Sequence, residues 1–292
     1  MRRKDASVVN GISTRSEISE RSWEIAGRRS DGATARPHAL RFRWNLLVYK
    51  ALADLRAEAR RYYISYLWWV LEPAIEMAIF YLVFAVLLNR GGPNYVHFLL
   101  VGLVSWKWFE ATVRHCGASI IQNRALILKV PLPKIFFPTV VVVTDTVKAM
   151  VSMGLMLLFV SLSGFPPGWP HLMLPVLWAV QLLLILAVGY GLAAVTPFFP
   201  DLMLIVTHLL RIVFFLSGIF FRPDLIPEKL RFWFFLNPMA RVVEDYRMVL
   251  LDHQWPKLAP LALISAGSVL VIVGAVRFIR RFDQVYPRVV NQ

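Results

Sequence analysis

The residues best placed to do chemistry are charged side chains set within apolar text. Glu72 and Glu76 are four apart, so they share one helical face, and Pro73 between them loosens that helix. Lys107 and Glu110 stand among Trp106, Trp108 and Phe109, and His208 and Arg211 interrupt a later apolar run. Paired carboxylates can serve as acid and base, and Asp252 beside His253 near Trp255 offers a second such pair. Adjacent polar residues in an amphipathic loop serve equally well as boundary groups. The six histidines are scattered without ligand spacing, and Cys116 is the single cysteine, so no metal site or disulfide framework is implied. The chain holds no GxxxxGK[ST] phosphate loop, HExxH, GxSxG or CxxC, so no intrinsic catalysis is expected and energy from ATP has to enter through another chain.

What must position these residues is a set of membrane helices. The 292 residues are 58% hydrophobic and only 17% charged, and 52 consecutive residues between Lys148 and Asp201 carry no acidic or basic side chain. That run is long enough for two crossings. The net charge of +14 would raise nucleic-acid binding in a soluble protein, but residues 1–61 hold fourteen Lys or Arg while the apolar mass lies beyond them. Segregation of that kind puts nucleic acid aside.

Residues 1–40, rich in Ser, Arg, Gly and Ala, read as a flexible cytoplasmic tail without a cleaved signal peptide. Over 41–61, Trp44, Leu47, Ala51, Leu52 and Leu55 recur at helical spacing among basic residues. Such a helix lies in the membrane interface or packs on a partner in the cytoplasm. Six spans follow, near Tyr63–Leu88, Val96–Ile121, Phe137–Val160, Leu172–Phe199, Leu202–Phe221 and Leu258–Val276, giving a transmembrane domain over 62–285 and a short cytoplasmic tail at 286–292. Gly189 and Gly191 in the fourth permit close helix approach. Charges inside the first, second and fifth spans are costly in lipid, so those faces should line an interior or a water-filled route.

Between the spans, 122–138 is basic and punctuated by Pro131, Pro133 and Pro138, displaying Arg124, Leu126, Lys129 and Lys134. It reads either as a stiff projection able to transmit a push or as a basic anchor. The 222–257 segment carries short apolar runs separated by Asn237 and Pro238, which suits re-entrant helices or a helix lying flat. Basic residues gather on the tail, on 122–138 and at the C-terminal end, which places all three in the cytoplasm. Tyr62, Tyr63, Tyr66, Trp106, Trp108, Phe109 and Trp233 are numerous enough either to belt the membrane or to offer stacking faces to sugar rings.

The stretches ISYLWWVLEPAIEMAIFYLVF (64–84), FLLVGLVSWKWFEATV (98–113), NRALILKVPLPKIFFP (123–138), SGIFF (217–221) and LNPMARVVEDYRMVLL (236–251) together resemble the membrane subunit of an ABC-2 type transporter. The likeness is to the polysaccharide exporters in particular, which include O-antigen, capsule and teichoic acid permeases. It implies an all-α integral membrane protein of the bacterial cytoplasmic membrane with both termini inside. The partners implied are a second copy of the chain, two copies of an ATPase that binds ATP and Mg, membrane lipid, and an undecaprenyl diphosphate-linked glycan. By the same resemblance Arg124, Leu126, Lys129 and Lys134 couple to the ATPase. Glu72, Glu76, Glu110, Arg211 and the aromatics of the first and second spans face the glycan, and Trp233, Asn237, Pro238 and Arg247 belong to re-entrant gate helices. Relatives often carry Arg-Asp before the fifth span, where this chain has Pro200 and Asp201, so no role for that arginine transfers. Competing readings are an exporter of drugs or simple lipids, a membrane glycan-modifying enzyme using Glu72, Glu76 or Asp252, and a membrane scaffold.

Overall fold

The computed structural model describes residues 36–61, 65–87, 94–130 and 132–289, and within these every extended element is helical. We name the helices α1 (Arg36–Arg61), α2 (Ser65–Tyr81), α3 (Tyr95–Gln122), α4 (Arg124–Lys129), α5 (Phe136–Leu162), α6 (Leu174–Val195), α7 (Leu202–Leu216), α8 (Glu228–Phe235), α9 (Pro238–Leu250), α10 (Leu258–Arg281) and α11 (Tyr286–Val289). Among the described residues three segments are long and apolar enough to cross a membrane: α5, the 3-10 turn plus α6 over Trp169–Val195, and α10. The chain is therefore an all-α integral membrane protein with at least three crossings. Two shorter apolar helical segments, Ala74–Phe84 and Leu202–Leu216, fall where the first and fifth spans are expected.

α3 is the hub of the packing. Its 28 residues extend about 42 Å at 1.5 Å per residue, and it touches α2, α5, α6, α7 and α9. Leu99, Leu103, Trp106 and Val113 of α3 interlock with Met153 of α5, Ile185 of α6 and Val242 and Tyr246 of α9 in one buried cluster. Gly189 explains how closely α6 approaches: a Cβ there would stand 3.0 Å from that of Cys116. Gly191 meets nothing within 4 Å, so only one of the two expected glycines serves contact. Buried Gln181 of α6 donates to the Ser105 carbonyl at 2.7 Å, a polar tie between the same helices. α10 lies along the other side of α6.

Several boundaries differ from the sequence expectation. The first span is α-helical to Tyr81 and then turns π-helical over Leu82–Leu87. The fifth ends at Leu216, because Gly218 adopts φ +68 and reverses the chain, whereas SGIFF was expected to continue it. The sixth runs five residues past Val276, to Arg281. α1 begins at Arg36, ahead of the expected interfacial helix; Leu47 and Ala51 are buried, whereas Leu52 is exposed. Most of the N-terminal tail, Tyr62, Tyr63 and the side chains of Trp44, Tyr66 and Glu72 lie outside the described residues. Residues 286–289 were expected to trail as a tail, yet they form α11, and Tyr286 is completely buried.

Candidate functional site

Because consecutive long helices alternate in direction, the bundle has two ends. One carries α4, the start of α5 and the ends of α6 and α10. The other carries the start of α3, the end of α7, and α8 and α9.

At the first end, α4 is a six-residue helix that follows α3 after a single residue. Asn123 supplies the break: its side-chain amide donates to the Ser119 carbonyl at 2.8 Å, closing α3, while its own carbonyl receives the amides of Leu126 and Ile127. Ile127 is buried and roots α4, while Arg124, Leu128 and Lys129 are exposed. Lys134 is not displayed with them. It is 5% exposed, with Nζ donating to the Leu132 carbonyl at 3.0 Å and standing 3.9 Å from the Asp283 carboxylate. The expectation that Lys134 projects like Arg124 and Lys129 gives way to an inward anchor, because its carboxylate partner is supplied from 149 residues away. Tyr286 completes this corner, its hydroxyl donating at 2.9 Å to the carbonyl of Ala194 in the last turn of α6. Burial, with the Asp283 carboxylate second, pushes the Tyr286 phenol well above its ordinary pKa.

Within the helices, Glu76 of α2 and Lys107 of α3 pair at 2.6 Å, which neutralises two charges that would be costly at this depth. Glu110 accepts the Trp106 indole N–H at 2.9 Å. Trp106, Trp108 and Phe109, expected to face the glycan, are buried in the core of the chain, where their rings pack against neighbouring helices. Arg211 lies on the exposed side of α7 with His208, Leu204 and Phe215, which recur at intervals of three and four. A third polar group, missed by sequence reasoning, joins α3 to α5: Asp145 is held by His115 at 2.7 Å and Lys148 at 3.3 Å. Asp145 and Lys148 are three apart, and that spacing was a usable signal.

At the other end, Arg247 is the central residue. Burial leaves 3% of it exposed, and its guanidinium donates to the carbonyls of Phe98 at 3.2 Å, Gly218 at 2.7 Å and Ile219 at 2.9 Å. It also stacks 3.4 Å above the Phe98 ring and faces Glu244 at 3.7 Å. Gly102 makes room, since a Cβ there would come within 2.7 Å of Arg247 Nη2. One side chain thus pins the SGIFF turn to both α3 and α9. Asn237 adds a second tie: its Oδ1 caps α9 by accepting the Met239 amide at 3.0 Å, and its Nδ2 donates to Ser217 Oγ at 2.9 Å. Pro238 takes the first helical position, where a missing N–H costs nothing. Above this lattice Phe232 and Trp233 of α8 are 72% and 66% exposed. A groove of about 630 Å³ beneath α8 is lined almost wholly by apolar side chains, among them Phe109, Leu216, Phe221, Leu230, Phe234 and Pro238.

The bundle thus carries a basic projection at one end and a pinned pair of short helices at the other. Residues 52–251 match the ABC-2 type transporter family. The chain belongs to that family. A relative, the O-antigen export system permease protein of Myxococcus xanthus, is 32% identical over 232 residues, covering 79% of this chain and 89% of that protein. The O-antigen export system permease protein of Klebsiella pneumoniae is 25% identical over 82% of this chain and 93% of its own length. A polysialic acid transport protein of Escherichia coli is 26% identical over 66% and 76% respectively. An ABC-2 permease needs no catalytic centre of its own. Among the described residues no group of three or more His, Cys, Asp or Glu is placed to hold a metal.

Proposed function

We propose that this chain is the permease subunit of an ATP-driven exporter that moves a lipid-linked polysaccharide of the O-antigen type across the bacterial cytoplasmic membrane. The observation that carries the reading is α4: a short helix rooted by Ile127, exposing Arg124 and Lys129, between two of the helices that build the core. A rigid projection of this kind can take force from a separate ATPase, and the relatives' names supply the cargo class.

The functional unit is two copies of the chain with two ATPase subunits. Each copy crosses the membrane six times, with α2, α3, α5, α6, α7 and α10 as spans and both termini in the cytoplasm. α1 lies in the interface on the cytoplasmic side, and α8 and α9 re-enter from the opposite side as a gate braced by Asn237, Pro238 and Arg247. The glycan passes between the copies along α2 and α7, where Arg211 is exposed, together with Glu72, Tyr62, Tyr63 and Tyr66 at the entry. Phe232 and Trp233, both exposed on α8, offer aromatic faces that a sugar ring can reach. The apolar groove beneath α8 suits the hydrocarbon of a lipid-linked cargo.

Reconstitution with the cognate ATPase in proteoliposomes tests this. ATP-dependent movement of an undecaprenyl diphosphate-linked glycan is expected, with Arg124→Ala plus Lys129→Ala lowering transport per ATP. Transport of a small amphiphile with no movement of any glycan would replace the cargo assignment with that of a lipid or drug exporter.

A further inference from the structure

Resting on the reading of α4 as the ATPase contact, the geometry points to a second route by which its motion reaches the bundle: we propose that Asp283 and Tyr286 form a C-terminal clasp that locks α4 and the start of α5 to the end of α6. By covalent connection alone, α4 can push only on α3 and α5. The clasp adds the α6 and α10 half.

Four observations converge on it. Asp283 Oδ1 accepts the backbone amide of Lys134 at 2.8 Å, just before α5. Ile135, at the N-cap of α5, makes no capping side-chain bond, so this carboxylate supplies the negative charge that a helix N-terminus favours. Tyr286 donates to the Ala194 carbonyl at 2.9 Å, satisfying one of the acceptors that the end of α6 leaves without an intrahelical partner. Phe198, in the turn after α6, packs its ring 5.3 Å from that of Tyr286, 6.0 Å from Phe282 and 6.1 Å from Phe278. Finally, α11 touches α4 directly.

The polar members are matched. Tyr286 is fully buried and Lys134 nearly so, while the Asp283 carboxylate that bonds the Lys134 amide is itself 36% exposed. Asp283 thus holds the start of α5 through Lys134, α11 touches α4, and Tyr286 holds α6 through Ala194. Both are positioning residues. A displacement of α4 therefore carries α6 with it, and α10, which lies along α6, follows.

The test uses the assembled complex in lipid nanodiscs, with spin labels on Leu128→Cys of α4 and Phe199→Cys after α6, both exposed positions. Distances are read without nucleotide and with trapped ATP. With the clasp intact the two labels move together and their separation stays single and narrow in both states. Asp283→Ala with Tyr286→Phe should broaden or shift it when ATP is trapped, and should lower transport of the lipid-linked glycan per ATP while hydrolysis continues. Tyr286→Phe alone, which keeps the ring and its packing, should give part of that broadening, and Asp283→Asn should restore part of the coupling by keeping an acceptor. Identical distance distributions in the clasp variants and the parent overturn the proposal. Cross-linking of Leu128→Cys to the ATPase is scored separately. If no cross-link forms, the ATPase-contact reading of α4 fails, while the distance data still decide whether the clasp holds α4 to α6.

Discussion

Arg247 concentrates the polar cohesion of the α9 end in one side chain. Replacing it with Met keeps comparable bulk but leaves the carbonyls of Gly218 and Ile219 without their buried donor, and removes the cation stacked on Phe98. Each unmet buried acceptor costs on the order of 1–3 kcal/mol, so Arg247→Met should destabilise the permease by about 3 kcal/mol, read as a lowered unfolding midpoint in detergent. Gly102→Ala should act in the same direction by crowding Nη2, with a smaller loss. The Glu76 and Lys107 pair makes a different prediction. Either Glu76→Gln or Lys107→Met strands a charge between α2 and α3, whereas the exchange Glu76→Lys with Lys107→Glu should recover roughly 1 kcal/mol of coupling in a double-mutant cycle. At this scale the sequence was only partly readable. It marked Glu76 and Lys107 as charges set within apolar text and Asn237 as a break between apolar runs, and it reached Arg247 through the family resemblance alone. It could not say that Trp106 and Trp108 are buried, since aromatic residues beside charges serve a core as readily as a channel.

At the scale of elements, α5, α6 and α10 were legible because lipid demands long uncharged runs, and Gly and Pro at 161–170 mark the break between the first two. The turn at Gly218 and the inward Lys134 were not. The first depends on a left-handed residue whose neighbours continue an apolar pattern, and the second on Asp283, far away in sequence. The clasp has its own pH signature. Because the Tyr286 phenol is raised above its ordinary value of 10.0, its contribution to stability is fully present below that pH and is lost as pH rises beyond it toward the folded value. Parent and Tyr286→Phe should therefore differ by a constant amount up to about pH 10 and converge above it, in thermal unfolding followed across that range.

For the whole molecule, the exposed side of α7 joins Leu204, Leu209, Ile212 and Phe215, 50–67% exposed, to His208 and Arg211. A stripe mixing apolar and basic groups suits neither lipid nor water by itself, which fits a path shared between two copies. Cysteines placed at Leu204 or Phe215 should cross-link to the same position of a second copy in membranes, and a purely monomeric product would contradict the proposed two-copy assembly. Topology is checked similarly. Trp169→Cys, at an 80% exposed position, should react with an impermeant thiol reagent in intact spheroplasts, whereas Leu128→Cys should react only in inverted vesicles.

Besides the Glu244 carboxylate, the acceptors of Arg247 are main-chain carbonyls. The lock reads the course of the backbone at Gly218 and Ile219, so the Ile219 side chain can vary among apolar residues that fill the same buried space, whereas Phe98 also supplies the ring on which the guanidinium stacks. Gly218 and Gly102 lack that freedom, the one because its φ is +68 and the other because it lends its missing Cβ to the guanidinium. A lineage could thus remodel the apolar surface around this turn to suit a new cargo without rebuilding the fastening beneath it.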